Sequence, residues 1–295
     1  MLGKSGLLGS CFLKQLACDE DFELFALGHS DLDLTDGPAV SEVFRRISPD
    51  FVINCSAYTA VDMAETERNL AFAVNAEAVK QLAIFCAREN ARLIHFSTEY
   101  VFDGESEVGY SEDAGYAPIN VYGESKMAGE EFISANMSDY YIIRTSWLYG
   151  ENGRNFVDTM IGLLESRTEL SVVDDQVGAP TYAMDLCRGV IDQFLGPWIK
   201  FLPRNHEHKL GEMGHRSEAL EFGIYHLTNS GQVSRYQWVE EIKRLMGAET
   251  KLLATSSDAF PTPARRPRCS ILLNTKCESL RPWSEALKAY IGLHF

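Results

Sequence analysis

The sequence predicts an α/β chain built on a doubly wound parallel sheet, with a smaller C-terminal lobe. Three observations predict it. Short apolar strands alternate with amphipathic helices through the first half, which places helices on both faces of a parallel sheet. A glycine-rich turn, Gly3-Lys4-Ser5-Gly6-Leu7-Leu8-Gly9, opens the chain ahead of its first helix. Seven of the ten prolines fall between Pro180 and Pro282, where the strand–helix rhythm gives way to a loop-rich lobe.

Taken in order, Phe22–Leu27 reads as a strand, Gly37–Ile47 as a helix and Phe51–Asn54 as the next strand, ending at small polar residues. Leu70–Glu89 reads as a long helix with Leu70, Val74, Leu82 and Phe85 on one apolar stripe. Leu93–Ser97 and Tyr140–Thr145 read as buried strands. The expected division is a dinucleotide-binding domain over 1–150, joined by 182–196 and 223–229. A substrate-binding lobe takes 151–181 and 230–295. The polar, aperiodic stretch 197–222 is expected to be a surface insertion. It carries His206, His208 and His215, but no tidy ligand spacing, so a metal site there is not expected.

Bulk properties narrow the function. At 295 residues and 45% apolar composition, the chain can bury one large domain, or a large and a small one sharing a cleft. Its net charge of −15, from 27 basic and 42 acidic residues, argues against nucleic acid and anionic membrane as partners. No apolar run approaches the roughly 20 residues that span a bilayer, and no signal peptide opens the chain, so a cytoplasmic location is expected. The seven cysteines are odd in number and never spaced C-x-x-C, which predicts reduced thiols.

The glycine turn has the G-x-x-G-x-x-G spacing of a Rossmann-like dinucleotide loop. There glycines let backbone approach a pyrophosphate, and the following helix aims its free N–H groups at the phosphates. Only Met1 and Leu2 precede it, where a central strand of about 5–6 residues belongs. The first strand is thus nearly missing. The sequence predicts a natural start several residues upstream, with an apolar, β-rich segment; the alternative is a shortened protein with weak cofactor binding. After the second strand, Gly28-His29-Ser30 carries no acid to grip a ribose 2′-OH, which favours NADPH while leaving NADH usable, although Asp31 and Asp33 lie close by. Asp33 and Leu34 either flank the adenine or start the next loop.

Tyr122-Gly-Glu-Ser-Lys126 is the strongest signal. Tyr122 and Lys126 share a helix face, and Thr98 ends a strand 24 residues before the tyrosine. A phenol of pKa about 10 is a poor acid–base group unless a neighbouring ammonium lowers that value. A strand-ending hydroxyl can hold a carbonyl oxygen.

The glycine turn with Thr98, Tyr122 and Lys126 resembles the extended short-chain dehydrogenase/reductases. Six further strings narrow the resemblance: Asn54–Asp62 (NCSAYTAVD), Ser97–Gly104 (STEYVFDG), Asn120–Lys126 (NVYGESK), Arg144–Tyr149 (RTSWLY), Asp175–Thr181 (DQVGAPT) and Pro261–Pro267 (PTPARRP). In this order they resemble the dTDP-4-dehydrorhamnose reductases. The resemblance runs from residue 3 to the C-terminus, interrupted mainly by 197–222. It implies NADPH-dependent reduction of the C4 keto group of dTDP-4-dehydro-L-rhamnose to dTDP-L-rhamnose. It further implies Tyr122 as proton donor, Lys126 as partner of the tyrosine and of the nicotinamide ribose, and Thr98 as hydrogen-bond donor to the substrate oxygen. The implied cofactor site is Gly3, Lys4, Ser5, Gly6, Leu7, Leu8, Gly9, His29, Asp33, Leu34, Ser56, Ala57 and Tyr58 with Tyr122 and Lys126. Thr59, Val61, Thr98, Glu99, Tyr100 and Trp147 would line the sugar pocket, unless Trp147 is simply a core aromatic. Arg265 and Arg266 would face the diphosphate, or equally pair with surface carboxylates. Some members bind magnesium between subunits through glutamates, one just after the glycine turn. Ser10 and Cys11 stand there, so no such metal is expected, while a homodimer stays open. Two alternatives remain: another 4-keto-6-deoxy nucleotide sugar, or a non-catalytic subunit resembling the regulatory subunit of methionine adenosyltransferase.

Overall fold

The computed structural model describes residues 1–17, 23–199 and 219–293. Its main sheet is parallel, in the order β1 (Phe51–Asn54), β2 (Arg92–Thr98), β3 (Tyr140–Thr145) and β5 (Gly223–His226). Along each strand, successive side chains enter opposite layers, because a strand alternates its faces. Val52, Leu93 and Ile142 join one buried cluster with Val40, Phe44, Val79 and Leu82. Ile53, Ile94, Tyr141 and Ile143 join the other, with Leu8, Phe12 and Leu186. All seven residues of β2 are buried, as a strand covered on both faces should be.

Helix α1 (Leu7–Leu16) covers one face through Leu8, Phe12 and Leu16. Helix α2 (Gly37–Ile47) covers the other; its Asp36 cap accepts Ala39 N–H at 3.1 Å. Beside it lies α3 (Arg68–Glu89), which is long and apolar enough to cross a membrane by length and composition. Asn75, Glu77, Lys80 and Gln81 interrupt it, so it holds no continuous apolar run, and Val79, Leu82, Ala83 and Cys86 are buried against the sheet layer. Within α3, residues Ala73–Glu77 form a π-helical turn. The buried stripe runs through Ala71, Asn75, Val79, Leu82 and Cys86, and Leu70 faces solvent at 47% exposure, off the expected stripe.

The stretch 22–27 departs from the expected strand. Of its described residues only Leu27 takes part in a bridge, accepting Gly3 N–H at 2.8 Å and donating to Met1 O at 2.9 Å. On its other side Leu2 donates to Ile53 O at 2.9 Å and accepts Cys55 N–H at 3.1 Å. Met1–Gly3 therefore occupies a position paired on both sides.

The rest of the chain adds α5 (Phe156–Ser166), α6 (Ala183–Val190) and a parallel pair, β4 (Glu169–Val173) with β6 (Lys251–Thr255). Helix α7 (Arg235–Met246) starts from a capping box, Ser234 with Gln237, and ends at left-handed Gly247. Its Trp238 is fully buried in the same cluster as Leu8, Tyr149 and Tyr290, so one core runs from the glycine turn to the lobe. The expected insertion 197–222 is narrower than predicted. Trp198 is buried and stacks on Phe222 at 5.6 Å, and Tyr141 Oη donates to Leu220 O at 2.7 Å. These ends have the aromatic bulk to extend the sheet layer; residues 200–218, with the three histidines, lie outside the described residues.

Helix α4 (Val121–Asn136) carries Tyr122 and Lys126, and a sealed ion pair fastens it to β3. Arg144 Nε and Nη2 donate to Glu130 at 2.6–3.0 Å, with 1% and 0% side-chain exposure. Ser97 and Tyr116 add hydroxyl donors to the same carboxylate. Removing one partner of such a pair leaves an uncompensated buried charge. Glu130→Ala should therefore cost about 3–5 kcal/mol in urea unfolding; a loss under about 1 kcal/mol would contradict this account of how α4 is held.

Candidate active site

The site forms where β1 and β2 end. Thr98 is the last residue of β2, and the start of α4 lies over it. Asn120 caps α4 by accepting Gly123 N–H at 2.8 Å, and Glu65 accepts Val121 N–H at 2.9 Å. Gly123 is required by close approach, since a Cβ there would lie 2.2 Å from Tyr100 O. Asn75, in the π-helical turn, accepts Tyr58 N–H at 2.9 Å and donates to Tyr58 O and Ser125 Oγ, both at 3.0 Å. It thus ties the loop after β1 to α4.

The Tyr122 phenol faces the Thr98 side chain and packs edge-on against Tyr100 at 5.5 Å. Thr98 Oγ1 donates to Glu99 Oε2 at 2.8 Å and accepts Tyr100 N–H at 3.2 Å. Burial, then the Glu99 charge, push the Tyr122 pKa up; the nearby Thr98 hydroxyl opposes them. Burial also raises the Glu99 carboxyl to about 7. The expected lysine–phenol effect is not what this geometry displays. Lys126 Nζ turns into the sheet, donates to Phe96 O at 2.6 Å and meets His95 Nε2 at 3.2 Å. Burial lowers its pKa to about 8.

The glycine turn fits a dinucleotide. Gly3 has φ +80°, and a Cβ on Gly9 would lie 1.9 Å from Gly3 O, so the turn tolerates no side chain at either position. Gly6, the N-cap of α1, supplies no side-chain acceptor, leaving the first-turn N–H groups to an anion. Ser5, Leu7 and Leu8 belong to this turn, while Ser56, Ala57 and Tyr58 follow β1 beside it, with Ser56 N–H on Asn54 Oδ1 at 3.0 Å. Near the expected ribose, Asp31 accepts Gly28 N–H and the Lys4 ammonium, both at 2.7 Å, which commits Lys4 to an acid. Asp33 accepts from the Thr35 backbone and hydroxyl, His29 is exposed, and Leu34 packs against the α2 layer.

On the other side, exposed Thr59 and half-buried Val61 belong to the loop and short turn after β1. Trp147 adopts φ +45°, a strained conformation costing about 1–3 kcal/mol. It stacks on Trp238 at 5.6 Å, so it is both a core aromatic and a wall beside Glu99. Arg266 forms a two-pronged ion pair with Asp62, both contacts at 2.9 Å. Arg265 reaches Glu105 at 3.6 Å on the surface, and its carbonyl accepts from Asn120. Arg235 was not legible in the sequence: its guanidinium lies 3.6 Å over the Trp147 ring, and burial lowers its pKa to about 10 despite the nearby Glu99 and Tyr100. His95 and Asn75 carried no local signal either. A separate hollow of about 700 Å³, lined by Gln237, Lys243 and Trp283 among others, shares no residue with this cluster.

Known proteins resemble this chain over nearly its whole length. The family model for the RmlD substrate binding domain matches residues 1–293. The spore coat polysaccharide biosynthesis protein SpsK of Bacillus subtilis is 36% identical, covering 98% of this chain and 95% of SpsK. A dTDP-4-dehydrorhamnose reductase of Streptomyces griseus is 39% identical, covering 97% and 90%. The crystal structure of dTDP-4-dehydrorhamnose reductase from Bacillus anthracis in complex with NADP superposes with a TM-score of 0.87 at 34% identity, covering 99% and 97%.

The crowding at the glycine turn generates a test. Gly9→Ala should weaken dinucleotide binding at least tenfold, about 1.4 kcal/mol, in a calorimetric titration. Unchanged affinity in a folded variant would place the phosphates elsewhere.

Proposed function

The chain belongs to the family of the RmlD substrate binding domain, that of the dTDP-4-dehydrorhamnose reductases, and on that footing we propose how its residues carry out the reaction. The reaction is the NADPH-dependent reduction of the C4 keto group of dTDP-4-dehydro-L-rhamnose to give dTDP-L-rhamnose, with NADH usable. Bound NADPH supplies the hydride. The single observation that carries the residue assignment is the meeting of the Thr98 and Tyr122 side chains at the carboxyl end of β2.

Tyr122 gives its proton to the C4 oxygen as the carbonyl is reduced. Burial and the Glu99 charge keep the phenol protonated, which loads the proton donor for the reductive direction. Thr98 donates a second hydrogen bond to the same oxygen, released from Glu99 as the substrate enters. Lys126 holds the nicotinamide ribose. The glycine turn Gly3–Gly9 and the α1 N-terminus hold the pyrophosphate. Thr59, Val61, Tyr100 and Trp147 wall the sugar. Arg266 offers its remaining N–H groups to the nucleotide diphosphate, with Asp62 fixing its orientation, and Arg265 is free to swing from its long surface contact. Arg235 joins them as a third cation beside Trp147. A cytoplasmic location fits the six described cysteines, all of which are free thiols.

Tyr122→Phe keeps the ring and removes the proton. Turnover should fall by about 10²–10⁴, with NADP⁺ affinity nearly unchanged, because the hydroxyl adds only one hydrogen bond to binding. Steady-state kinetics and a binding titration on one preparation check both halves; near-normal turnover would remove Tyr122 from the mechanism.

A further inference from the structure

A chain of hydrogen bonds runs from the end of β1 to Lys126, and its polarity is fixed at one end. Ser56 N–H, which can only donate, points at Asn54 Oδ1 at 3.0 Å. Asn54 Nδ2, itself a donor, then faces His95 Nδ1 at 3.0 Å. Nδ1 must accept, so a neutral His95 carries its proton on Nε2. Nε2 faces Lys126 Nζ at 3.2 Å. That N–H can be met only by a lone pair, which an amine has and an ammonium lacks. With an ammonium at one end and a backbone N–H at the other, two donors oppose each other somewhere along the chain, however the Asn54 amide is turned. Water does not relieve the conflict: Asn54, His95 and Lys126 are 1%, 0% and 2% exposed. The remaining contact, Nζ donating to Phe96 O, suits either form.

We propose that His95, its tautomer set by Asn54 and Ser56, is a positioning residue that lets Lys126 exist as a neutral amine in the dinucleotide-free protein at mildly alkaline pH, and that engagement of the nicotinamide ribose then loads a proton onto Lys126. The second half rests on the reading that Lys126 holds that ribose. The groups facing Nζ are His95 and the Phe96 carbonyl from β2, with Tyr122 one turn before and Glu130 one turn after on α4. Glu130 favours the ammonium, but its carboxylate is occupied by Arg144, Ser97 and Tyr116. Burial outweighs it and brings the Lys126 pKa down to about 8. Above about pH 8, binding through an ammonium requires proton uptake, so NADP⁺ affinity falls by up to tenfold per pH unit there.

The test starts from the free, full-length protein. Nitrogen-15 NMR of labelled histidines at about pH 9 reads the His95 tautomer, with its signal assigned by loss in His95→Gln. The expected result is a neutral ring with Nε2–H. Carbon-13 NMR of lysine Cε, assigned by loss in Lys126→Met, should show Lys126 titrating near 8, against 10.5 for an ordinary lysine. Asn54→Asp presents acceptors to both Ser56 and His95, which reverses the chain. It should move the His95 proton to Nδ1 and raise the Lys126 midpoint by at least about one unit. An Nδ1–H tautomer in the unmodified protein, or a Lys126 midpoint with the exposed lysines, would overturn the proposal, and neither readout depends on Asn54→Asp folding. Calorimetry of NADP⁺ binding in buffers of different ionisation enthalpy then reads the second half. Uptake approaching one proton at about pH 9 is expected for NADP⁺, and none for 2′,5′-ADP, which lacks the nicotinamide ribose. No uptake with NADP⁺, when the free-state readouts are as expected, would overturn the placing of Lys126 on the ribose and leave the free-state assignment standing.

Discussion

The ion pair between Glu130 and Arg144 is the constraint on which the rest of the site depends. A guanidinium at 1% exposure and a carboxylate at 0% are tolerable only together. Arg144 projects from β3 and Glu130 from α4, so meeting fixes the rotation of that helix on the sheet. One turn earlier on α4, Lys126 is then driven into the layer beneath, and Tyr122 is left at the sheet edge beside Thr98. Small residues complete the seating. A Cβ on Gly129 would lie 2.2 Å from Asn75 O, and one on Gly123 equally close to Tyr100 O. The helix therefore approaches both α3 and the turn after β2 nearly backbone to backbone. Such a pair adds little net stability over an apolar substitute; its value here is positional.

The same seating accounts for a division of labour between two carboxylates. Glu130 is neutralised by an arginine and anchors structure. Glu99, buried and bonded to no cation among the described residues, is raised to about 7 and sits against the Thr98 hydroxyl. Its charge disfavours a phenolate on Tyr122, which suits an enzyme that must offer a proton to a ketone. The positive side of the cleft is assembled from distant segments, Arg266 after β6 and Arg235 at the start of α7, both close to Tyr100 in electrostatic terms.

Much of this was legible in the sequence, because it is local. The helix Gly37–Ile47 and the strands Phe51–Asn54 and Tyr140–Thr145 carry period and end signals within their own windows. The Tyr122–Lys126 spacing declares a shared helix face by itself. What escaped is pairing at a distance. Nothing around residue 95 says that a histidine will meet a lysine 31 positions later, and nothing around Arg235 announces Trp147. The π-helical turn at Ala73–Glu77 answers to the approach of Gly129, a tertiary demand, and so it was invisible to helical periodicity. The stretch 22–27 had strand composition, yet of its described residues only Leu27 bridges, to Leu2, and composition alone does not build a ladder. At the far end of the sheet, the polar run after Pro197 concealed that Trp198 and Phe222 stack on each other against the core.

The central claim is that this cleft delivers a hydride and a proton across the C4 carbonyl of a dTDP-linked 6-deoxy sugar with one stereochemical outcome. The most direct measurement is proton NMR of the product made from dTDP-4-dehydro-L-rhamnose and NADPH carrying deuterium at the transferable position of nicotinamide C4. The account predicts dTDP-L-rhamnose as the single product, with deuterium at sugar C4 and the new hydroxyl proton exchangeable with solvent. Protium at C4, or the C4 epimer as the main product, would contradict it.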